Sequence, residues 1–184
     1  MVLFIHGKGG NAGEAEAYRS VFPGEEIVSF DYKSETPWDF REEVRAFIGE
    51  RRDFTLIAVS IGAFFFMSSG LSSRVKEAFF ISPVSDMEAL ILSMMESAGL
   101  SESELMEKGT IGELSWEYLT YVRNSREDWR VSTHVIAGSL DEVMNTSITG
   151  RVFPDVTFLE GSRHWLHTPS EMDAVRNWMR IKKT

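Results

Sequence analysis

Residues 54–67 read FTLIAVSIGAFFFM and contain the pattern that is most informative about the fold. Its first part is a continuous apolar, β-rich run, as expected for a strand that is covered on both faces. Helix-compatible sequence begins directly after Ser60 and leaves no room for a loop. A sharp strand-to-helix turn of this kind exposes the serine Oγ at the top of a sheet, with small residues such as Ala58 and Gly62 on either side. The alternative is a serine that only caps a buried helix.

Five further β-rich runs flank this stretch and predict an alternation of strands and helices. Helix signals lie between the runs, for example the N-cap patterns at Thr36-Pro37 and at Thr168-Pro169. This alternation predicts an α/β fold, a three-layer sandwich of about six parallel strands with helices on both faces. The five runs cover residues 2–5, 26–30, 77–82, 133–138 and 155–160.

Residues 84–130 interrupt the alternation, because no strand is predicted there. A capping box at Ser85-x-x-Glu88 and another that begins at Ser101 open helical segments. The interval is either a solvated helical excursion or a small helical cap over the sheet, between the fourth and fifth strands. We expect one domain over residues 1–184, with the cap inserted at about 84–130.

The composition restricts the partners and the chemistry. The formal net charge of −9 argues against nucleic acid or an anionic membrane as a partner, because both need basic patches. The absence of cysteine excludes disulfides, thiolate metal sites and a cysteine nucleophile. The chain shows neither a membrane-length apolar run nor a leader-like start, so we expect a cytoplasmic protein with a small-molecule substrate.

Ligands in open α/β sheets bind beyond the carboxyl ends of the strands, so the residues there are the candidates for chemistry. A serine nucleophile needs a base, and four histidines are present. His164 follows the last strand in a loop and is favoured over His167, which adjoins the Thr168 cap. His134 lies within a strand and is expected to be structural, whereas His6 is expected to tie down the first turn.

The base in turn needs an orienting acid. Asp141 follows the fifth strand by a short loop, although it could equally cap a segment that starts at Glu142. Asp86 is the reserve candidate and Asp31 a third. Ser60, Asp141 and the histidine follow one another in the order of a Ser-Asp-His triad, each just past a successive strand. We expect neither a metal nor a cofactor, since His164-x-x-His167 has no third ligand at a suitable spacing.

The glycine-rich turn after the first strand admits two interpretations. Its backbone N–H groups could bind an oxyanion that forms during catalysis, or the phosphates of a nucleotide. The pattern Gly7-x-Gly9-x-x-Ala12 satisfies a dinucleotide fingerprint, and Asp31 ends the next strand, where a ribose-binding acid would lie. This second interpretation leaves the serine, acid and histidine unexplained.

Several segments together resemble a group of compact bacterial α/β-hydrolases, over nearly the whole chain. The resemblance implies a minimal α/β-hydrolase fold without the family's usual first two strands. The chain departs from the family at Ala58, which replaces the first glycine of the G-x-S-x-G motif around the serine. The resemblance also implies an oxyanion hole formed by the backbone N–H groups of Lys8 and Ile61, with His6, Gly7 and Gly62 supporting the turn. The matching motifs are HGKGG at 6–10, Ser60-Ile61-Gly62, Gly138-x-x-Asp141 and Gly161-x-x-His164-Trp165.

The function expected from these residues is that of a serine hydrolase. It would cleave carboxylic esters or thioesters with a small to medium acyl group through an acyl-enzyme on Ser60, and the Lys8 side chain could bind a carboxylate or phosphate of the substrate. Two alternatives remain: a Rossmann-like nucleotide-binding module and an inactive hydrolase-fold binding protein. An exposed sheet edge leaves monomer and homodimer open.

Overall fold

The computed structural model describes residues 1–125 and 129–183, and its main sheet has six strands that pair in parallel. A separate antiparallel pair, β5 and β6, lies between β4 and β7 in the chain. The prediction of a parallel six-stranded α/β sheet is confirmed. The strands are β1 (Val2–Ile5), β2 (Ile27–Phe30), β3 (Phe54–Val59), β4 (Val75–Ile81), β5 (Thr110–Ile111), β6 (Leu114–Ser115), β7 (Thr133–Gly138) and β8 (Val156–Leu159).

Seven α-helices and two 3₁₀ segments connect these strands within the described residues. Thr36 caps the N-terminus of α1 and Thr168 that of α7, as their sequence patterns predict, and the Thr168 cap is a complete capping box. Among the described residues, no helix combines the length and the apolar character needed to span a bilayer. The helices are α1 (Pro37–Ile48), α2 (Ile61–Met67), α3 (Met87–Ser97), α4 (Glu102–Lys108), α5 (Trp116–Asn124), α6 (Thr146–Val152) and α7 (Pro169–Lys182), and the 3₁₀ segments are Ala12–Val21 and Ser72–Arg74.

The strand order is β2-β1-β3-β4-β7-β8. Strand β2 lies on one side of β1, and β3 and all later strands of this sheet lie on the other side. The strand order therefore reverses at β1. A crevice opens at the carboxyl ends of strands at such a switch point. The turn after β1 and the residue after β3, Ser60, both lie there.

Neighbouring residues of a strand point to opposite faces of the sheet, so a continuously apolar strand needs cover on both faces. On one face Phe79 packs edge to face on Trp178 of α7, with ring centroids 5.8 Å apart, in a buried cluster that includes Tyr18 of the first 3₁₀ segment. On the other face the adjacent Phe80 contacts Phe153, with centroids 5.7 Å apart. Strands with apolar residues on both faces explain why the sequence lacks a period of two.

The chain divides into two compact units: residues 1–85 with 129–184, and residues 86–128. In the second unit the Arg123 guanidinium donates to Glu88 and Glu102, with N–O distances of 2.7 Å, and so ties α5 to α3 and α4. The buried side chain of Leu105 lies in this unit.

Two local expectations need correction, and one element was not predicted. The interval 84–130 was expected to contain no strand, but β5 and β6 occur there. The sequence does not reveal them because strands of two residues are too short to show a periodicity. Helix α3 is capped by Asp86, which accepts from the Ala89 N–H at 2.9 Å, and not by the Ser85-x-x-Glu88 box. The 3₁₀ segment after the first turn was not predicted, although Asn11 and Glu14 form a capping box there.

Candidate active site

Ser60 lies at the sharp turn between β3 and α2, with φ 51° and ψ −123°. A positive φ is costly for a residue with a Cβ, about 1–3 kcal/mol, so the surroundings must hold it. The Ser60 N–H donates to the Ile81 carbonyl at 3.0 Å, and the Val84 N–H donates to the Ser60 carbonyl at 3.1 Å. These bonds fix the serine backbone to the end of β4.

Gly62 makes the turn possible because a side chain would not fit there, and Gly7 is a second position of close approach. A Cβ on Gly62 would lie 2.3 Å from the His6 carbonyl oxygen. A Cβ on Gly7 would lie 3.2 Å from the Ser60 Cβ, which is a tight contact. The close approach of the first turn of α2 to the end of β1 therefore requires glycine at position 62.

His164 lies beside the serine hydroxyl. Its Nε2 is 2.8 Å from Ser60 Oγ, and the histidine is 3% exposed. The loop that carries it, after β8, crosses closely over Gly138 at the end of β7: a Cβ there would lie 2.3 Å from the carbonyl oxygens of Ser162 and Arg163. The absence of a side chain on Gly138 thus lets the histidine loop approach the strand that carries the acid.

Asp141 contacts the other ring nitrogen of His164. The two carboxylate oxygens are 3.0 and 2.9 Å from Nδ1. Oδ1 also accepts from the backbone N–H groups of Val143 and Met144, both at 2.9 Å. A carboxylate at Nδ1 assigns the ring proton to that nitrogen, which leaves Nε2 free to accept from the serine hydroxyl. Asp141 thus binds the turn that follows it and orients the histidine, although no helix begins at Glu142.

Glu142 is a contact of the site that the sequence analysis did not identify. Its Oε2 accepts from the backbone N–H of His164 at 3.2 Å. Neighbouring acids on one loop therefore hold both the ring and the backbone of the histidine. The adjacent carboxylates Asp141-Glu142 were the available signal, but nothing in the sequence told which atoms they would meet.

The turn after β1 is a four-residue turn, closed by a bond from the Gly10 N–H to the Gly7 carbonyl at 3.1 Å. Gly9 is the third residue of this turn and has a φ of 75°. A type II turn requires a positive φ at that position, which glycine adopts readily. Lys8 lies between these glycines, with its side chain exposed. Ile61 is the first residue of α2, and its N–H is one of those that a helix leaves without an intrahelical acceptor.

A cavity of about 120 Å³ adjoins Ser60 and His164. Its other lining residues come from the strand ends, the first 3₁₀ segment, the loop before α7 and α7 itself. They are Glu14, Ala17, Tyr18, Val59, Ile81, Trp165, Leu166, His167 and Met172.

No family model matches the sequence, and no curated protein matches it. Solved structures match it over nearly its whole length. The mouse alpha/beta hydrolase domain-containing protein 10 is 14% identical with a TM-score of 0.74, over 98% of this chain and 88% of that one. The chain has the α/β-hydrolase fold. The monoacylglycerol lipase of Paleococcus ferrophilus is similar at 14% identity and a TM-score of 0.66, with 98% and 93% covered. An Exiguobacterium antarcticum esterase is 14% identical with a TM-score of 0.60, with 100% and 91% covered.

In this α/β-hydrolase fold, His6 lies apart from the hydrogen-bonded chain of Ser60, His164 and Asp141. Its Nδ1 is 2.8 Å from the Gly7 carbonyl oxygen, and its ring stacks on Tyr32 with centroids 4.3 Å apart. The Tyr32 hydroxyl donates to the His6 carbonyl at 3.0 Å. His6 is therefore held rigidly at the base of the glycine-rich turn.

The reserve acids have other partners. Asp31 accepts from the Ala12 N–H at 3.2 Å and from Lys33 at 2.9 Å, and the hydrogen bond from Lys33 is the largest cause that lowers its pKa. A ribose-binding acid would need these oxygens for a ligand, and the strand order also differs from that of the dinucleotide-binding fold. Asp86 serves as the N-cap of α3.

The two remaining histidines have different environments. His134 pairs with Asp155, with Nδ1 2.5 Å from Oδ2. His167 is exposed, and its ring lies 5.2 Å from that of Trp165. Over residues 1–125 and 129–183, no three His, Asp or Glu side chains are grouped so that they could hold a metal ion.

Proposed function

We propose that the protein is a serine hydrolase that cleaves carboxylic ester or thioester bonds of a small to medium acyl substrate. One observation carries the proposal: an unbroken series of hydrogen bonds runs from Ser60 Oγ through His164 to Asp141, with distances of 2.8 and 2.9 Å. The series begins at a serine in a strained turn at the switch point of the sheet. Strain of this kind, held in place by its surroundings, is typical of functional sites.

In the first half of the reaction, Ser60 Oγ attacks the carbonyl carbon while its proton moves to His164 Nε2. The tetrahedral intermediate then collapses, the carbon–oxygen or carbon–sulfur bond to the leaving group breaks, and His164 returns the proton to that group. In the second half, water loses a proton to His164 and attacks the acyl-enzyme; the bond between the acyl carbon and Ser60 Oγ then breaks, His164 returns the proton to Oγ, and the acid is released. Each half begins and ends with neutral His164.

Asp141 contributes by holding the imidazole in one tautomer and one orientation. Its carboxylate faces the positive charge that forms on His164 after each proton transfer. The N–H groups of Val143 and Met144 hold the carboxylate in place before the reaction begins. Preorganised groups of this kind need no rearrangement at the moment of charge transfer.

The oxyanion of the intermediate needs two donors, and we assign them to the backbone N–H groups of Lys8 and Ile61. Ile61 directly follows the nucleophile, and Lys8 lies two residues after His6, whose carbonyl group approaches Gly62. One donor of this type contributes about 3 kcal/mol to transition-state stabilisation. The glycines of the turn then serve the close approach of backbone groups rather than phosphate binding.

Two of the similar structures are named as a lipase and an esterase. At 14% identity these names show a common fold and nothing about a shared substrate. The argument for an ester therefore depends on the geometry of Ser60, His164 and Asp141 in the same fold.

A fluorophosphonate probe tests the proposal, because it reacts covalently with activated serines. We expect the wild-type protein to be labelled and Ser60→Ala not to be. Ser82→Ala is the matched control, since Ser82 also follows a strand and has a positive φ of 43°; it should be labelled like the wild type. Lack of labelling of the wild type, or labelling retained in Ser60→Ala, would refute the proposal.

A further inference from the structure

We infer that Trp165 and His167 form a binding site for an uncharged aromatic group of the substrate, in the pocket beside Ser60. This inference rests on the proposed function and specifies its substrate class: an ester or thioester that carries a flat ring close to the scissile bond. Both side chains line the same pocket as Ser60 and His164. The part of a substrate that contacts them therefore adjoins the bond that is cleaved.

Burial alternates along the segment that begins at the candidate catalytic histidine. His164 and Leu166 are 3% and 4% exposed, whereas Trp165 and His167 are both exposed. Neighbouring side chains thus point to opposite sides, and Trp165 and His167 share the outward side. Their ring centroids are 5.2 Å apart, with an angle of 37° between the planes. The sequence Trp-Leu-His therefore places two rings next to each other at the pocket.

The residues on either side of Trp165 fix the direction of the indole. The ring of His164 is held by Ser60 and Asp141, at 2.8 and 2.9 Å. Leu166 belongs to the buried apolar cluster that joins the sheet to α7. Because neither neighbour can turn outward without losing these contacts, Trp165 stays at the surface. The aromatic surface is present before a ligand arrives, and a preformed site loses little conformational entropy on binding.

Trp165 is an exception to the polar character of the outward positions. The outward residues before and after it, Arg163 and His167, are polar, whereas Trp165 has a large apolar side chain and is 47% exposed. A tryptophan can bury about 150–250 Å², so a half-exposed indole lacks much of the stabilisation that burial provides. A substrate in this pocket would cover the indole, and that burial would then contribute to binding.

The aromatic class of the ligand follows from the way in which rings pack. Aromatic rings prefer edge-to-face or offset arrangements, with centroids about 4.5–7 Å apart. Trp165 meets the His164 ring edge to face, with centroids 5.8 Å apart, and is still 47% exposed. A flat substrate ring can therefore pack on the remaining indole surface. Such a pair exceeds an aliphatic contact of the same area by a factor of about two to ten in binding.

The other side chains of the pocket are compatible with an uncharged ring. Val59 and Ile81, at the ends of β3 and β4, and Met172 of α7 line it. The thioether of methionine makes favourable contacts with the edges of aromatic rings. The carboxylate of Glu14 also lines the pocket, so uncharged ligands are needed to measure the effect of the rings alone.

Hydrolysis of paired uncharged esters tests the inference. Benzyl acetate is compared with cyclohexylmethyl acetate, and ethyl phenylacetate with ethyl cyclohexylacetate, so that the ring lies in the alcohol or in the acyl part. The intrinsic properties of each ester are the same for every variant, so the quantity to follow is the aromatic-to-saturated ratio of kcat/KM. We expect Trp165→Leu to lower this ratio about two- to tenfold in at least one pair.

Further variants separate the ring of Trp165 from its size and position. Trp165→Phe should keep most of the wild-type ratio, because it retains a ring, and His167→Leu should lower the ratio by a smaller factor than Trp165→Leu. Phe158→Leu is the matched control, since Phe158 is 40% exposed and lies outside the pocket lining. This control should keep the wild-type ratio.

A binding measurement makes the test independent of catalysis. In Ser60→Ala, which cannot form an acyl-enzyme, benzyl acetate should shift the tryptophan emission to shorter wavelength, because the exposed indole loses contact with water when a ligand covers it. The shift should be absent when Trp165→Phe is added, a variant that retains every other tryptophan. It should persist when Phe158→Leu is added instead.

The outcomes separate this inference from the proposed function. Hydrolysis that depends on Ser60, with the same ratio in the wild type and Trp165→Leu for both pairs, refutes the inference and leaves the hydrolase standing. An equal fall of the ratio in Phe158→Leu refutes the assignment to this pocket. A Trp165-dependent emission shift in Ser60→Ala without any hydrolysis by the wild type supports the aromatic site and refutes the proposed function. Absence of both refutes both.

Discussion

Two of the histidine–carboxylate pairs in the described residues are built on the same two strands, β7 and β8, at opposite ends of those strands. His164 and Asp141 follow the carboxyl ends of β8 and β7, and their Nδ1–Oδ2 distance is 2.9 Å. His134 and Asp155 lie at the amino ends of β7 and β8, with an Nδ1–Oδ2 distance of 2.5 Å. The contact that defines each pair is therefore the same.

The surroundings of the two pairs differ. The side chains of His164 and Asp141 are 2% and 3% exposed, whereas those of His134 and Asp155 are 18% and 37% exposed. The second nitrogen of His164 meets Ser60, while the carboxylate of Asp155 is shared with Lys182 at 2.6 Å. A histidine–carboxylate pair is thus a candidate base only where its free ring nitrogen reaches a nucleophile.

The largest difference between the two pairs is expected when each histidine is replaced in turn. We expect His164→Gln to lower kcat by about 10⁶, because loss of the base in a serine triad costs about as much as loss of the whole triad. His134→Gln should change kcat less than twofold, since His134 lies at the opposite end of these strands. Steady-state hydrolysis of a short-chain ester measures both variants, and equal losses in the two would contradict the assignment.

The acids give the second largest contrast. Asp141→Asn should lower kcat by about 10⁴, because an amide at this position can favour the wrong tautomer of His164. Asp155→Asn should leave kcat near the wild-type value. A fluorophosphonate labelling time course gives an independent measurement, and rapid labelling of Asp141→Asn would show that the carboxylate does not orient the base.

Gly138 offers a smaller perturbation that moves the first pair without removing either partner. Its Cβ in Gly138→Ala would lie 2.3 Å from the carbonyl oxygens of Ser162 and Arg163, so the histidine loop must shift. A displacement of about 1 Å at a catalytic group costs about 10² in rate. We expect kcat to fall by about that factor, with KM changed much less. Gly150→Ala is the control, because nothing lies within 4 Å of a Cβ there.

The parts of this site that could be predicted from the sequence depend on chain position. Ser60, Asp141 and His164 each follow a strand whose apolar run is easy to recognise, and a parallel sheet collects such residues at one edge. The sheet itself was predictable for the same reason, since its buried strands are continuous apolar runs separated by capped helices.

What could not be predicted depends on three-dimensional contacts or on very short elements. The hydrogen bond from the His164 N–H to Glu142 can be predicted only when the loop conformations are known. The His134–Asp155 pair can be predicted only when the register of β7 and β8 is known. The glycine-rich sequence before Asn11 obscured the capping box of the following 3₁₀ segment. Ser85 and Asp86 both satisfy the local preference for an N-cap, so the sequence does not tell which of them caps α3.

The smallest predicted effect concerns the stability that the exposed pair contributes. Burial alone would raise the pKa of Asp155, but hydrogen bonds from Lys182 and His134 outweigh it and hold the pKa below the usual 3.8. A lowered carboxyl pKa stabilises the folded state above the pKa of the unfolded chain, and this contribution is lost as pH falls through the folded value. Because more than a third of the Asp155 side chain is exposed, screening limits the contribution to about 0.5–1 kcal/mol.

We therefore expect Asp155→Asn to lower the free energy of unfolding by about 0.5–1 kcal/mol at pH 7, and the difference from wild type to shrink toward zero as the pH falls below about 4. Urea unfolding at several pH values measures this difference. Asp173→Asn is the matched control, since Asp173 pairs with Arg176 at 2.6 Å but is 69% exposed, and its effect should be smaller still. A difference for Asp155→Asn that persists undiminished below the folded pKa would show that packing, not the charge of Asp155, stabilises this edge of the sheet.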